Sequence, residues 1–353
     1  MQRTVAKINL KAVEENARAF KSRTKKLCAV VKADAYGHGA AEAALALSGV
    51  ADMFAVAIVE EAIELETAAC GKEILILTPP TDDAEAAAIV ENGFSACVPD
   101  FQTAERLVNV AKRKKKIARV HLKINTGMNR YGGDRYALNE ICKRFSSERY
   151  ASVNGVFSHL YTEDLETCER QRKAFLAACN VVKTYYPNAL RHLSATYGAT
   201  LGERYAFDAI RVGLGLYGYL PNGLNAETFG LKKAMRVYAK VSAISEYKGG
   251  GAGYGVLTAT TEKALQGKRL ATLRFGYADG FLRKRENGTV GAEYAVNNLC
   301  MDACLRVNAE QLKRGDLVPV MTDASATAKA TGTIPYEVLC AATRRAEMVY
   351  VYE

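Results

Sequence analysis

The chain has 353 residues, which is enough for two domains, or for one large barrel with an appended domain, and too long for one small module. A hydrophobic content of 49% excludes a disordered chain, because that much apolar surface can build a core. The formal net charge of +10 directs attention to anionic partners such as nucleic acid, a charged membrane surface or an anionic small molecule.

Short apolar segments alternate with longer, alanine-rich amphipathic segments over the first two-thirds of the chain. The apolar segments predict eight strands, at 27–33, 53–59, 73–77, 95–98, 117–124, 153–157, 191–194 and 209–214. A typical helix is predicted from Lys11 to Lys21, with Asn9 as its N-cap. Eight such repeats favour an N-terminal (β/α)8 barrel, although a doubly wound sheet shares the same alternation.

The pattern changes from about residue 231 to segments of period two, such as Val237 to Ala243. Glycine-rich turns separate these segments, and the combination is typical of antiparallel strands. A turn-rich stretch near residues 221–225 marks the boundary. We therefore predict a cofactor-binding barrel at 1–225 and a mainly antiparallel β domain at 226–353.

Nine cysteines are spread thinly without any C-x-x-C pair, which suits reduced thiols rather than a disulfide framework. The first residues contain no apolar run of signal-peptide length, and no later stretch is long and apolar enough to span a bilayer. We therefore expect a cytoplasmic protein that does not bind a membrane.

The densest basic run is Lys112 to Lys116. It directly precedes a predicted strand and lacks interleaved aromatic residues, so a solvated helix end is a better interpretation than a nucleic-acid surface. We expect no nucleic-acid partner.

Basic side chains collect in or just after the predicted strands. The four histidines lie within or just after four of the eight predicted strands; they are His38, His121, His159 and His192. Lys32, Lys123 and Arg211 lie in three predicted strands. Barrel enzymes carry their active sites at the carboxyl ends of the strands, and buried charges are costly unless they are paired or functional. This distribution predicts an active site in the barrel.

Lys32 follows two valines in the segment AVVKADAYGHGA. We expect poor hydration there to favour its neutral amine, which is the nucleophile that a Schiff base to an aldehyde cofactor requires.

The same segment resembles the cofactor-lysine motif of the alanine racemases, which are fold-type-III enzymes dependent on pyridoxal phosphate. Other motifs follow the order of that family: HLKINTGMNR at 121–130, DAIRVGLGLYG at 208–218, GYG at 253–255, GYADG at 276–280, CMD at 300–302 and TIPYE at 333–337. The resemblance therefore covers nearly the whole chain, including the β domain.

The resemblance implies an isomerase that interconverts L- and D-alanine with pyridoxal 5′-phosphate and supplies D-alanine for bacterial peptidoglycan. Lys32 would hold the cofactor and act as one catalytic base, with Tyr254 as the second base on the opposite face of the substrate. A serine or broad-specificity amino-acid racemase is an alternative, because the same two bases serve any α-carbon. A non-catalytic pyridoxal-phosphate-binding protein is a second alternative.

Further roles follow from motif positions. Arg211 would face the ring nitrogen of the cofactor, and His159 would lie near the ring. Arg130 and the backbone N–H of Met301 would bind the substrate carboxylate, and Lys123 is a candidate for carbamylation. The cofactor phosphate would be bound by Tyr36, Thr196, Gly213, Leu214 and Tyr336.

The chain departs from the family pattern at two places: Asn125 replaces an aspartate, and Ala195-Thr196 replaces an asparagine-serine pair. The amide lost at Ala195 needs a substitute contact or a water molecule, whereas Thr196 retains a hydroxyl. The resemblance also implies a homodimer in which each active site is shared by two chains. We expect no resident metal ion.

Overall fold

The computed structural model describes residues 4–221, 224–281, 299–307 and 309–353. Its strands are β1 (Thr4–Asn9), β2 (Lys26–Val30), β3 (Met53–Val56), β4 (Glu73–Ile76), β5 (Ser95–Val98), β6 (Ala118–Lys123), β7 (Ala151–Phe157), β8 (Leu190–His192), β9 (Ala209–Val212), β10 (Met235–Glu246), β11 (Arg269–Leu273), β12 (Cys304–Arg306), β13 (Leu317–Met321) and β14 (Glu347–Val351).

The helices are α1 (Leu10–Lys21), α2 (Lys32–Gly37), α3 (Ala40–Leu47), α4 (Val59–Leu65), α5 (Asp83–Asn92), α6 (Phe101–Lys114), α7 (Arg135–Ser146), α8 (Leu165–Tyr185), α9 (Thr196–Thr200), α10 (Glu203–Ala206), α11 (Ala259–Leu265), α12 (Ala324–Thr331) and α13 (Pro335–Ala341). Short 3-10 turns lie at Leu214–Tyr217, Ala226–Phe229 and Tyr277–Asp279.

Strands β2 to β9 form the predicted barrel. They are all parallel, in the order β8-β7-β6-β5-β4-β3-β2-β9. The remaining gap between β8 and β9 is bridged by two backbone hydrogen bonds, from Asp208 N to Arg191 O at 3.0 Å and from Arg211 N to Ser194 O at 2.9 Å. The eight strands predicted from the sequence are confirmed, and together they form a nearly closed barrel.

Local sequence explains where the barrel helices begin and which face they bury. In α6, Asp100 is the N-cap and accepts a hydrogen bond from Thr103 N. Leu107 and Val108 are fully buried, while the basic residues at the end of the helix are exposed. The predicted helix after Asn9 is also confirmed, because Asn9 Oδ1 accepts a hydrogen bond from Ala12 N at 3.1 Å.

The remaining strands form a second, mainly antiparallel sheet in the order β12-β11-β10-β1-β14, with β13 also paired to β10. Burial alternates along the first half of β10, where Met235, Val237 and Ala239 are buried and Arg236 is exposed. This alternation confirms the predicted period-two strand.

Strand β1 is the element that the sequence interpretation missed. It pairs antiparallel with β10 and parallel with β14, whose residues lie more than two hundred positions later. The structure accordingly contains two compact units, one from Met1–Ala12, Tyr36–Gly39 and Lys233–Glu353, and one from Val13–Ala35 and Ala40–Lys232. The barrel strands lie in the latter, which we call the barrel unit; the former is the second unit.

Candidate active site

Lys32 lies two residues after the buried end of β2, at the start of a segment whose backbone is left-handed. The φ angles at positions 33–36 lie between 52° and 56°, and Gly37 has a φ of 76°. Residues other than glycine enter this region at a cost of roughly 1–2 kcal/mol each. Helix α2 is therefore one strained turn, and such strain concentrates at functional sites. Lys32 is partly exposed, so it is better hydrated than its valine neighbours led us to expect.

Two carboxylates hold this left-handed turn in place within the barrel unit. Glu61 accepts a hydrogen bond from Ala33 N through one oxygen and from Ala57 N through the other, both at 2.7 Å. Asp34 accepts one from Ala40 N at 2.7 Å, at the start of α3. The segment that carries Lys32 is thus attached to the end of β3 and to the next helix.

Arg211 is 3% exposed and is fixed by hydrogen bonds from both terminal nitrogens. One nitrogen, NH1, donates to His192 O at 2.8 Å and lies 3.1 Å from His192 Nδ1. The other, NH2, donates to Ser158 O at 2.7 Å and Leu193 O at 3.1 Å, and lies 3.3 Å from His159 Nδ1. Among the described residues the hydrogen bonds of Arg211 use NH1 and NH2 and leave Nε unused.

Phe157 contacts two of the predicted cationic residues. Its ring centroid is 5.4 Å from Lys123 Nζ and 5.3 Å from Arg211 Cζ, which is the range of cation–π contacts. The ring also stacks on His192, with centroids 5.1 Å apart and planes 7° apart. A single aromatic side chain therefore contacts both buried cations.

The clustered positive charge changes the protonation of its members. Burial, together with Arg211 and Arg130, lowers the pKa of Lys123 to about 8. Burial and the same two arginines, with Lys123 and Lys32, lower the pKa of His159 to about 3, so its imidazole is neutral. Burial also lowers the pKa of Arg211 to about 10, which still leaves the guanidinium charged at neutral pH.

Asn125 organises the loop that leads from β6 to Arg130. Its side-chain oxygen accepts hydrogen bonds from Gly127 N at 3.0 Å and Asn129 N at 3.1 Å. Its amide nitrogen donates to Asn129 Oδ1 at 2.9 Å, a bond that an aspartate could not make. Because Asn129 adopts a left-handed φ of 57°, the two asparagines form one turn, and the departure from the family aspartate has a local explanation. Arg130 itself is exposed.

Two short helical turns meet where the phosphate site is predicted. The Thr196 hydroxyl, at the start of α9, accepts a hydrogen bond from Gly215 N at 3.2 Å, in the turn that follows Gly213 and begins at Leu214. First-turn N–H groups lack partners within their own helix, which suits them to binding an anion. Ala195 is the N-cap of α9 and offers no side-chain cap, as its apolar side chain requires.

The second unit contains the other four predicted residues. Tyr36 is buried, and its ring lies 5.9 Å from that of Tyr336. Tyr254 is 58% exposed and Met301 is 52% exposed. Val256, two residues after Tyr254, is 98% exposed. Two of the four residues, Tyr254 and Met301, are therefore accessible in the single chain.

The sequence interpretation missed Glu73, which is the first residue of β4. One carboxylate oxygen of Glu73 accepts hydrogen bonds from Ser95 Oγ and from Asn154 Nδ2 at 2.9 Å, and lies 3.1 Å from His121 Nε2. The available signal was a charged residue at the start of the apolar run Glu73-Ile74-Leu75-Ile76. It also missed Phe157 and Glu61.

The basic run at the end of α6 is largely paired. Lys112 contacts Glu148 at 2.7 Å, Arg113 contacts Asp83 at 2.6 Å, and Lys114 contacts Glu91. Carboxylates of the same chain therefore neutralise most of the charge of this run.

A search for metal-binding groups of three or more His, Cys, Asp or Glu side chains finds none in the described part of the chain. Within the same residues, no helix has the length and apolar character needed to cross a membrane.

A nearly closed (β/α)8 barrel with basic side chains at its strand ends, beside two helical turns whose first N–H groups suit an anion, is typical of a barrel enzyme with a site for an anionic ligand. Comparison with known proteins narrows this class. The model of the alanine racemase N-terminal domain matches residues 8–221, and that of the alanine racemase C-terminal domain matches residues 234–350. The chain belongs to the alanine racemase family.

Individual relatives agree over the full length. The chain is 33% identical to alanine racemase 2 of Caldanaerobacter subterraneus subsp. tengcongensis, covering 99% of this chain and 95% of the relative. It is 32% identical to an alanine racemase of Helicobacter pylori strain Shi470, covering 98% of each.

Solved structures show the same fold. The alanine racemase of Clostridium difficile 630 superposes with a TM-score of 0.86 at 29% identity, covering 100% of this chain and 96% of that one. The alanine racemase of Bartonella henselae, solved with covalently bound pyridoxal phosphate, gives 0.81 at 25% identity and covers 99% of this chain and 100% of its own.

Proposed function

We propose that this protein interconverts L- and D-alanine with pyridoxal 5′-phosphate as its cofactor, and with Lys32 and Tyr254 as its two proton carriers. The observation that carries the proposal is the state of Arg211. Its terminal nitrogens are committed to protein acceptors and, within the described residues, its hydrogen bonds leave Nε unused, so one N–H remains available for a ligand atom. Family membership supports the choice of reaction, and the bacterial relatives support a supply of D-alanine for peptidoglycan in the cytoplasm.

The residues of the barrel unit fit a phosphorylated, ring-shaped aldehyde. Lys32 offers a partly exposed amine to the aldehyde. The turns that begin at Thr196 and Leu214, with the backbone of Gly213, offer N–H donors to the phosphate. Neutral His159 would lie near the ring without adding another charge to the cluster. We propose that Tyr36 and Tyr336 supply further phosphate contacts.

When bound, pyridoxal phosphate supplies an electron sink that acidifies the substrate α-proton. Arg211 would moderate the strength of that sink. Because its pKa is near 10, the guanidinium would donate a hydrogen bond to the ring nitrogen and keep its proton. By leaving that nitrogen unprotonated, Arg211 would favour prompt return of a proton to carbon over side reactions.

Racemisation requires two acid–base groups on opposite faces of the α-carbon. One accepts the α-proton from one face, and the other donates a proton to the other face. We assign these roles to Lys32 Nζ and to the Tyr254 phenol, which exchange roles for the opposite enantiomer. Arg130 and the N–H of Met301 would bind the substrate carboxylate, since a charged guanidinium and a backbone donor suit an anion.

Lys123 is proposed to carry a carbamate. Its pKa of about 8 provides a substantial fraction of neutral amine at neutral pH, and this amine can add carbon dioxide with release of one proton. The product is an anion among Arg130, Arg211 and His159, where a negative charge offsets the local positive field. It would hold Arg130 in position for the substrate.

We propose a homodimer in which Lys32 of one protomer works with Tyr254 of the partner subunit. Tyr254, Val256 and Met301 are exposed side chains of the second unit, and a partner chain would cover them. Family resemblance supplies the pairing between chains.

Subunit mixing tests the shared site. Lys32→Ala and Tyr254→Phe homodimers should each be nearly inactive, whereas a mixed dimer places both defects in one site and leaves the other intact. Random reassortment makes about half of the dimers mixed, so activity should recover to roughly a quarter of wild type. Verified mixed dimers with no activity above either parent would contradict sharing.

The substrate is tested by measuring racemisation of alanine, serine and lysine side by side. Alanine should be fastest; faster serine turnover would support the serine-racemase alternative. If the chain binds the cofactor and racemises none of the three, a non-catalytic binding protein is the better description. The C-terminal domain match over residues 234–350 argues against that outcome, because this region contains the proposed second base.

A further inference from the structure

A chain of hydrogen bonds runs through the barrel interior from Arg211 to Glu73. Arg211 NH1 is 3.1 Å from His192 Nδ1, His192 Nε2 is 2.8 Å from His121 Nδ1, and His121 Nε2 is 3.1 Å from the Glu73 carboxylate. Both histidines are fully buried. Each ring nitrogen in this series therefore has exactly one partner of known chemistry to satisfy.

The chemistry of the two ends fixes the direction of donation. A guanidinium has donors and no acceptor, so His192 Nδ1 must accept and the His192 proton must lie on Nε2. That proton is donated to His121 Nδ1, which places the His121 proton on Nε2. The last proton is donated to the ionised carboxylate of Glu73. All three hydrogen bonds point from Arg211 towards Glu73.

The opposite direction conflicts with the geometry. A proton on His121 Nδ1 would face the proton-bearing Nε2 of His192, or would force the His192 proton onto Nδ1, opposite the Arg211 N–H. Burial lowers the pKa of His192 well below its usual value, and the positive charges of Arg211 and Lys123 lower it further, so His192 does not resolve the conflict by carrying a second proton and remains a single tautomer.

Neighbouring residues fix the positions of His121 and Glu73 in this series of hydrogen bonds. Gly155 faces the His121 ring, and an added methyl group there would lie 2.5 Å from His121 Nδ1. Ser95 and Asn154 both donate to the same Glu73 oxygen that accepts from His121. Three donors on one oxygen hold the carboxylate in a single orientation.

Glu73 is also the member of this series of hydrogen bonds that is open to solvent. It lines a cavity of about 480 Å³ together with Lys26, Asn154 and the segment 185–190. Its side chain is 27% exposed, whereas the histidines are enclosed. The carboxylate can therefore remain ionised without placing an unsolvated charge inside the barrel.

We propose that Glu73 is a positioning residue for Arg211: by accepting the last hydrogen bond it fixes both histidine tautomers, and with them the orientation of the Arg211 guanidinium. Without an acceptor at position 73, the His121 Nε2 proton is buried and unpaired, and the tautomer that opposes Arg211 becomes competitive. The consequence for cofactor binding rests on the proposed function, whereas the tautomers are a property of the protein alone.

Two substitutions of similar size distinguish the hydrogen-bond acceptor of the Glu73 side chain from its negative charge. Glu73→Gln removes the charge and keeps an oxygen for His121, Ser95 and Asn154, and Glu73→Met removes both. Nitrogen NMR of the histidine side chains in the full chain, before cofactor is added, should show Nε2–H tautomers for His121 and His192 in wild type and in Glu73→Gln. In Glu73→Met a second tautomer should appear at one or both.

Cofactor titration gives the linked readout. We expect Glu73→Met to weaken pyridoxal phosphate binding by about tenfold and Glu73→Gln by less than about twofold. Unchanged tautomers in Glu73→Met, or a Gln variant that matches the Met variant, would overturn the proposal. If Glu73→Met does not fold, the wild-type spectrum still tests the proposed direction of donation. An Nδ1–H tautomer at His121 or His192 would contradict it. Should wild type bind no cofactor, the proposed function fails while the tautomer test still stands.

Discussion

In the barrel unit, Arg211 is 3% exposed and donates hydrogen bonds to three backbone carbonyls, whereas in the second unit Tyr254 is 58% exposed and Met301 is 52% exposed. Arg211 is held by contacts inside the barrel, so its position follows from folding. Tyr254 and Met301 lack such enclosure within their own unit. Substitutions of enclosed barrel residues should therefore alter stability together with activity, and substitutions at Tyr254 and Met301 should alter activity alone.

The largest effect is expected from Lys32→Ala. Removing both the cofactor attachment and one base should lower racemisation by about 10⁴-fold. Borohydride treatment of the wild type, followed by peptide mass spectrometry, should find the reduced cofactor on Lys32. Finding it on another lysine, such as Lys123, would remove the basis of the proposed site.

Tyr254→Phe should have the second-largest effect on racemisation, and it should affect one alanine enantiomer more than the other. In deuterated water, loss of the α-proton from L-alanine should fall by about 10²–10⁴-fold, because that enantiomer would present its proton to the phenol. Because the substitution removes one hydroxyl from a side chain that is not enclosed within its own unit, we expect an unchanged melting temperature. Unchanged exchange from L-alanine would exclude Tyr254 as that base, and a lower melting temperature would break the contrast between the two units.

Lys123→Met tests the buried positive charge of the barrel. The pKa of Lys123 is about 8 in the folded state against an ordinary value of 10.5, so the unfolded chain binds this proton more tightly. The charge therefore destabilises the folded state below about pH 8, and this penalty disappears as pH rises towards 10.5. The variant should gain up to about 3 kcal/mol relative to wild type near pH 7, and should lose that advantage by about pH 10.5.

Denaturant unfolding in buffers free of carbon dioxide measures the difference, since a carbamate would replace the cation. Lys183→Met, at an exposed position on α8, is the matched control and should show no such pH dependence. A gain that does not change with pH would mean that packing, rather than charge, separates the two proteins.

Asp34→Ala should give the smallest effect. Loss of the hydrogen bond to Ala40 N should cost about 1 kcal/mol of unfolding free energy and lower activity, because Asp34 helps to hold the turn that carries Lys32. Asp82→Ala, which removes the N-cap of α5, should cost a similar amount and leave activity unchanged. Equal activities in the two variants would show that the turn keeps its shape without Asp34.

Regular elements of the barrel were predictable because their signals are local. Eight apolar runs defined eight strands, and Asn9 marked a helix start through its own side chain. Strand β1 was missed although Val5 and Ile8 are buried in it, since its partners come from the far end of the chain. Pairing over such separations leaves no trace in a local pattern.

The candidate site was predictable where residue type is tied to chemistry, as for Lys32, Lys123 and Arg211. Glu73 was not, because at the first position of a strand a glutamate is usually a solvated charge. Its partners His121 and Asn154 are 48 and 81 positions away. The left-handed backbone after Lys32 also gave no signal, since alanine and tyrosine rarely adopt it.

The left-handed backbone of the turn after Lys32 reverses the expected effect of a glycine substitution at Ala33. An L-residue is strained at its φ of 52°, whereas glycine has no preference of hand and a D-residue finds these angles to be those of an ordinary helix. Ala33 is exposed, so its methyl group contributes little packing. Replacement by glycine, normally destabilising in a helix, should here stabilise the fold, and D-alanine introduced by semisynthesis should stabilise it further. The segment is a short piece of mirror-image helix built from natural amino acids.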